Sequence, residues 1–195
     1  LELEHGVHLS VPKVYEVLRE RYVIRSKWKK NHLRGPVPHA TAPRQVVQMD
    51  SILLGGLYAF TGIDIYTREA DILVAPALTA AYGRAFLDRA MARRFGGHVA
   101  LIQTDGGSEF KNAFLARVTA YCDRHRVARP YKKNEQAYIQ SSNRTVRNKE
   151  CLGWGRYSVA DLPSCQKAAE TFLERYHYHR PHLGLGLRTP LTKGA

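Results

Sequence analysis

Two aspartates lie in apolar stretches of the sequence, where a charged side chain is costly to bury without a partner. Asp50 lies within QVVQMDSILL, and Asp105 ends HVALIQTD and is followed by two glycines that would let a ligand approach. If the two stretches are neighbouring strands, the carboxylates converge and would hold Mg²⁺ or Mn²⁺, since such ions prefer hard oxygen ligands. Taken singly, each aspartate also fits a capping or turn residue.

The stretch KKNEQAYIQSSNRTVRNKE, residues 132–150, follows both aspartates. Its pattern predicts a helix over 135–150 in which Gln140, Asn143, Arg144 and Arg147 share one face, at i, i+3, i+4 and i+7. A third carboxylate on such a helix would allow a two-metal site for phosphoryl transfer. The chain has Gln140 instead. Two interpretations stay open: a nuclease-like site whose last ligand is neutral, or a basic surface helix.

The composition of the chain favours a polyanionic partner. Its 195 residues include 30 Lys and Arg against 17 Asp and Glu, for a net charge of +13, and such a surface attracts nucleic acid. No run has the apolar length of a membrane span, and the first residues lack a signal-peptide pattern. Three cysteines without a CxxC motif indicate a reducing compartment. The missing initiator Met suggests a fragment whose residues 1–6 are partly vector-derived.

The order of the predicted elements indicates an α/β fold with a mixed sheet. Strands at 45–54, 57–66 and 70–76 predict an antiparallel meander, and helices alternate with strands afterwards. The later predictions are a helix at 79–96 capped by Thr79, a strand at 98–105, a helix at 111–126, a strand at 127–131, and helices at 135–150 and 161–179.

The first 44 residues have a different character. Residues 10–22 predict a short helix, which is either a remnant of a helix-turn-helix or a simple docking helix. Residues 25–44 are basic and contain three prolines, which predicts a linker or arm. Lys27, Lys29, Lys30 and Trp28 suit contact with a phosphate backbone, although a solvated tether is the alternative.

Three blocks of the sequence, QMDSI, TDGGSEF and NEQAYIQSSNRTVRNKE, resemble the catalytic blocks of DDE integrases and transposases of the bacterial insertion-sequence type. The tail YHYHRPHLGLGLRTP is similar to the segment that follows this core, so the resemblance covers roughly residues 45–190. It implies an RNase H-like fold, a five-stranded mixed sheet flanked by helices. We expect an N-terminal helix and basic linker at 1–44, the core at 45–155, and a helix and tail completing it at 156–195.

The resemblance also implies residue roles. Asp50 and Asp105 match the two catalytic, metal-binding aspartates, and Gln140, 35 residues beyond Asp105, stands where the family has its catalytic glutamate. One or two Mg²⁺ or Mn²⁺ ions would be bound. The residues expected to contact DNA are Lys132, Lys133, Asn143, Arg144, Arg147, Lys27, Lys29 and Lys30.

The expected activity is metal-dependent DNA strand cleavage and strand transfer on double-stranded DNA, both element ends and target. We expect at least a dimer, no membrane partner, and a location in the bacterial cytoplasm at the nucleoid, with the DNA-end reader upstream of residue 1. Because Gln140 carries no charge, we expect normal folding and DNA binding with weak or absent strand transfer. Whether Gln140 is a deliberate substitution or a decayed natural feature stays open. The alternatives are an inactive DNA-binding protein of the same fold and an RNase H-type nuclease.

Other polar residues are given lesser roles. Glu109 and Glu135 are predicted to be surface or capping groups, and Asp64 is placed near the core rim without a function. His177, His179 and His182 form HxHxxH, but the motif lacks a fourth ligand, which argues against zinc.

Overall fold

The computed structural model describes Gly6 and residues 9–21, 36–130, 132–147, 152 and 157–193, without the side chains of residues 133, 192 and 193. The chain divides into two units, Leu1–His32 and Leu33–Ala195. In the first unit, helix α1 spans Val11–Arg19, and the Ser10 side chain caps it by accepting from the Lys13 amide at 3.4 Å. The predicted helix at 10–22 is therefore confirmed, with a slightly earlier end.

The second unit contains one five-stranded sheet. Its strands are β1 (Val46–Leu53), β2 (Tyr58–Asp64), β3 (Ala70–Ala75), β4 (Val99–Thr104) and β5 (Cys122–Val127), in the order β3-β2-β1-β4-β5. Strands β1, β2 and β3 pair antiparallel. Strands β1, β4 and β5 pair parallel. The predicted meander and mixed sheet are confirmed.

Helices cover both faces of this sheet. They are α2 (Ala80–Arg93), α3 (Leu115–Val118), α4 (Ala137–Val146), α5 (Leu162–Tyr178) and α6 (Pro190–Lys193). Thr79 caps α2 as predicted, accepting from the Tyr82 amide. One apolar core includes residues of α4 and α5, such as Ile139 and Leu173, and the other includes residues of α2 and β4, such as Phe86 and Ile102. Helices on both faces are what a largely buried mixed sheet requires.

The predicted helix at 111–126 and strand at 127–131 are wrong. Only the single turn of α3 is helical there, and β5 begins at Cys122, opposite Val99 of β4. The strand is at the edge of the sheet and carries exposed polar residues such as Asp123 and Arg124. An edge strand needs few apolar side chains, so its sequence lacks the usual strand pattern, and hydrogen bonding to β4 overrides local helix propensity.

The helix predicted at 135–150 starts later than expected. Lys133–Gln136 forms a 3₁₀ turn before α4 begins at Ala137, and residues 148–150 lie outside the described part of the chain. The helix predicted at 161–179 is confirmed as α5. In the described ranges, no helix has the length and apolar character needed to cross a membrane.

Candidate active site

The parallel pairing of β1 with β4 brings the segments that contain Asp50 and Asp105 to the same end of the sheet. Gln48 lies opposite Gln103 in this register, and each aspartate follows its glutamine by two residues. Because side chains alternate along a strand, Asp50 points to the same face of the sheet as Gln48, and Asp105 directly follows the last residue of β4. The predicted neighbouring of the two strands is thus confirmed, and both aspartates lie at the carboxyl end of the parallel pair.

The two glutamines fix the start of α4 against these strands. Both are buried, and their Nε2 atoms donate to the same carbonyl oxygen, that of Glu135, at 2.6 and 2.7 Å. Gln48 Oε1 also accepts from the Ile139 amide at 3.1 Å. Sequence analysis missed this clamp, although its signal was present: the triplet Gln-x-Asp occurs in both QMD and QTD.

Asp50 is held by hydrogen bonds to both carboxylate oxygens. Oδ1 accepts from the Ser51 amide at 2.8 Å, and Oδ2 accepts from Asn143 Nδ2 at 2.7 Å. Asn143 Oδ1 in turn accepts from the Thr61 hydroxyl at 2.7 Å. Burial, followed by repulsion from Asp105 and Glu109, raises the pKa of Asp50 to about 6 despite these bonds. A nearby cation would stabilise the ionised form of such a buried carboxylate.

Glu109 corrects the prediction of a surface group. It is 3% exposed, and its Oε1 accepts from the Ser51 hydroxyl at 2.6 Å. The glycines of TDGGSEF make this turn possible, since a Cβ on Gly107 would collide with the Glu109 carboxylate, while the Gly107 amide donates to Asp105 Oδ1 at 2.9 Å. Glu109 therefore adds negative charge beside Asp50.

Glu135 is also buried, contrary to prediction. It is 2% exposed and forms ion pairs with Arg126, at 3.1 Å, and Arg129. These bonds connect the end of β5 to the turn before α4. The Glu135 carboxylate is thus engaged in a structural ion-pair cluster, while its backbone oxygen receives the two glutamines.

The predicted face of α4 lines a pocket of about 300 Å³ that also contains Asp50. Its described lining consists of Asp50, Ser51, Gln140, Asn143, Arg144 and Arg147. The structure therefore brings Gln140, which is exposed, to the same pocket as Asp50. Asp105 does not belong to this lining. It is exposed at the neighbouring strand end, and its charge contributes to the raised pKa of Asp50.

The predicted DNA-contact residues fall into three groups. Arg144 and Arg147 line the pocket, and Lys132 is half-buried before the 3₁₀ turn. Asn143 is 7% exposed, and its amide is engaged by Asp50 and Thr61, which gives it a positioning role. Lys27, Lys29, Lys30 and the side chain of Lys133 lie outside the described residues.

The remaining residues discussed from sequence have structural partners. Asp64 is completely buried and accepts from the amides of Tyr66 and Thr67 in the β2–β3 turn and from the amide of Arg44, which precedes β1. This corrects its placement at the rim. His177 Nε2 accepts from the Ala70 amide at 3.0 Å. His177 is therefore a core residue.

Comparison with known proteins decides the family. One family model, described as an integrase core domain, matches residues 40–133, and a second with the same description matches residues 121–190. The chain belongs to the integrase core domain family. The resemblance to DDE integrases and transposases is thereby confirmed. No curated protein matches the sequence significantly.

Solved structures confirm the RNase H-like fold of this integrase core domain. A simian T-cell lymphotropic virus intasome, solved in complex with the PP2A regulatory subunit B56 gamma, superposes with a TM-score of 0.65 at 16% identity. That match covers 82% of this chain and 57% of the viral chain, so this chain spans little more than half the viral protein. The catalytic core domain of BIV integrase gives a TM-score of 0.56 at 16% identity, covering 77% of this chain and 93% of the viral domain.

The oxygen donors in this pocket and at the neighbouring strand end are of the type that divalent ions prefer. Asp50 and Asp105 offer hard carboxylate oxygens, and Gln140 could offer an amide oxygen. Within the described ranges, no three or more His, Cys, Asp or Glu side chains form a group able to hold a metal. Asp50 and Asp105 are the two carboxylates that could hold an ion at these strand ends.

Proposed function

We propose that this chain is the core of a DNA integrase or transposase that cuts and joins DNA strands with Mg²⁺ or Mn²⁺. The observation that supports the proposal is the register of β1 and β4, which pairs Gln48 with Gln103, each two residues before an aspartate, together with the pocket that Asp50 shares with Gln140. A divalent ion at these carboxylates would supply Lewis-acid stabilisation of the charge that develops on the reacting phosphate.

The protein side chains would position the phosphate and hold the carboxylates. Asn143 donates to Asp50 and fixes its orientation, and the Gln48–Gln103 clamp keeps α4 at a set distance from both aspartates. Arg144 and Arg147 line the same pocket and would neutralise DNA phosphates. Lys132 and Lys133 would also contact the DNA backbone, and so, independently, would Lys27, Lys29 and Lys30.

Gln140 would lower the rate of this chemistry. It has nearly the reach of glutamate, but its amide contributes no negative charge to the site. Losing one anion from a two-metal arrangement removes several kcal/mol of transition-state stabilisation, which corresponds to roughly a hundredfold or greater loss in rate. DNA binding would persist, because the basic side chains around the pocket do not depend on Gln140.

The wider setting follows from the same proposal. Joining two element ends to target DNA requires two active sites, so the protein would work as a dimer or larger assembly on double-stranded DNA. It would act at the nucleoid in the bacterial cytoplasm.

A second candidate is an inactive DNA-binding protein of the same fold. The neutral Gln140, in a pocket with a single carboxylate in its described lining, favours it. In this case the pocket would hold a phosphate through Arg144 and Arg147, and no cleavage would follow.

Restoring the acid distinguishes the two candidates. We expect Gln140→Glu to increase Mn²⁺-dependent nicking of a supercoiled plasmid, and joining of a labelled duplex to it, by a hundredfold or more. The double variant Gln140→Glu with Asp105→Asn is the matched control and should return to the original level. An unchanged rate in Gln140→Glu, with duplex binding intact, would support the inactive DNA-binding protein.

A further inference from the structure

A second pocket lies on the opposite face of α4. Its volume is about 390 Å³, and it lies between α4, the β2–β3 turn and the segment after α5. The α4 residues that line it occupy positions 138, 141, 142 and 145, whereas those of the first pocket are 140, 143, 144 and 147. At 100° per residue these two sets point in opposite directions from the helix axis. We call this the α4–tail pocket; its polar residues are Arg68, Ser141, Ser142, Thr145, Arg180 and His182.

Two of the side chains that line the α4–tail pocket each carry a polar atom that is buried without a hydrogen-bond partner. These atoms are Nη1 of Arg68 and Nε2 of His182. Buried polar atoms are nearly always paired, and exceptions call for an explanation such as a missing ligand. Both side chains are held in place by aromatic rings: the Arg68 guanidinium lies 4.0 Å from the Tyr138 ring centre, and the His182 ring packs edge-on against Tyr176 at 4.6 Å.

The backbone of Arg68 reinforces this interpretation. Its φ is +65°, a left-handed conformation that glycine or asparagine adopts more easily than arginine. Gly184 comes close on the other side, because a Cβ there would lie 3.3 Å from Arg68 Nη2. An arginine at a turn position unsuited to it, with its side chain lining a pocket, indicates that the guanidinium has a use.

The charge of the α4–tail pocket selects the class of ligand. Its described lining contains two arginines, three serine or threonine hydroxyl groups, two tyrosines and a histidine, and no carboxylate. Burial and the charges of Arg180 and Arg68 lower the pKa of His182 to about 4, so the ring is neutral at pH 7 and its Nε2 can carry a proton to donate. Arginine and hydroxyl donors around a cavity of ligand size are suited to an oxyanion attached to a larger group.

We propose that the α4–tail pocket is a second phosphate-binding site, in which Arg68, His182 and the hydroxyl of Ser142 hold a phosphate group. The site is separate from the first pocket, which Asp50 and Gln140 line, and it does not depend on Asp50, Asp105 or Gln140. The phosphate would come either from a DNA backbone or from a free nucleotide or phosphate ion. In the first case, α4 would contact phosphates on both of its faces.

The test uses inorganic phosphate and NMR of the ¹⁵N-labelled chain at constant ionic strength, with chloride as the reference anion. We expect saturable shifts of the Ser142 and Gly184 amides with phosphate. Ser142→Asp, which places a negative charge in the pocket, should weaken binding at least tenfold, or about 1.4 kcal/mol. Ser142→Asn is the neutral control and should bind within a few-fold of the original chain.

Arg68→Asn provides an independent variant that is expected to fold, because asparagine tolerates a positive φ. It should also weaken phosphate binding at least tenfold, whereas loss of an equal charge at the exposed Arg124 of β5, as Arg124→Asn, should not. Absence of saturable shifts at Ser142 and Gly184, or equal phosphate binding by Ser142→Asp and Ser142→Asn, would overturn the proposal.

A short DNA duplex then identifies the source of the phosphate. If DNA supplies it, the duplex will shift the Ser142 and Gly184 amides, and Ser142→Asp will abolish those shifts. If a free anion supplies it, inorganic phosphate alone will shift them. Neither result depends on strand transfer, so the outcome for Gln140→Glu leaves this test unaffected.

Discussion

Replacing Asp50 with asparagine should stabilise the protein at neutral pH, although it removes a residue proposed to be essential for activity. In the folded chain, burial and the charges of Asp105 and Glu109 disfavour the ionised carboxylate and raise its pKa from 3.8 to about 6. The folded state therefore binds more protons than the unfolded state between these two values. The contribution of Asp50 to stability is therefore fully present below pH 3.8 and is lost as the pH rises through about 6, because the folded protein must then carry an unfavourable charge.

The size of this effect follows from the shift. Raising the pKa of Asp50 from 3.8 to about 6, at about 1.36 kcal/mol per pH unit, gives about 3 kcal/mol as the largest gain in the free energy of unfolding from Asp50→Asn at pH 7. For a chain of this length that corresponds to a rise in melting temperature of up to roughly 10 °C. The Asp50→Asn variant can keep the hydrogen bonds to Asn143 and Thr61 if the Asn143 amide group rotates by half a turn. The Asn143 oxygen then accepts from the new amide at position 50. The Thr61 hydroxyl accepts from Asn143 and donates to the backbone oxygen of residue 50.

The assay is urea unfolding of the original chain and Asp50→Asn at pH 4 and pH 7, in the presence of a chelator. We expect the variant to be more stable at pH 7, with the difference becoming small at pH 4. Asp105→Asn is the matched control and should give a smaller gain, because it removes only one source of repulsion. The reasoning is refuted if Asp50→Asn is no more stable at pH 7, or if its advantage is the same at both pH values.

Two further predictions concern α4. Gln103→Leu removes one donor to the Glu135 carbonyl and should lower the free energy of unfolding by about 1–2 kcal/mol in urea melts; no change would mean that the clamp contributes nothing. Arg147→Gln should weaken duplex binding and reduce the slope of log affinity against log salt by about one, as expected for one lost phosphate contact. An unchanged slope in a fluorescence titration would remove Arg147 from the DNA interface.

The sequence predicted the strands and the pocket-lining face of α4 because these features are local. The apolar runs around Asp50 and before Asp105 predicted β1 and β4, and the spacing of Gln140, Asn143, Arg144 and Arg147 predicted the face of α4 that lines the pocket. Periodicity alone determines both features, since strand and helix repeats need no knowledge of distant partners.

The errors share a different cause, namely contacts between residues far apart in the chain. Glu109 is buried because it accepts from Ser51, and Glu135 is buried because Arg126 and Arg129 come to it. A charged residue looks exposed in a sequence until its partner is known. Strand β5 was missed for a related reason, because its pairing with β4 outweighs the local pattern of its own residues.

Calorimetric titration with Mn²⁺ tests the central claim most directly, that Asp50 and Asp105 hold a divalent ion beside a neutral Gln140. The account predicts one ion bound by the original chain, tighter or additional binding by Gln140→Glu, and loss of binding in Asp50→Asn. Equal binding by the original chain and Asp50→Asn, or no effect of Gln140→Glu, would contradict it.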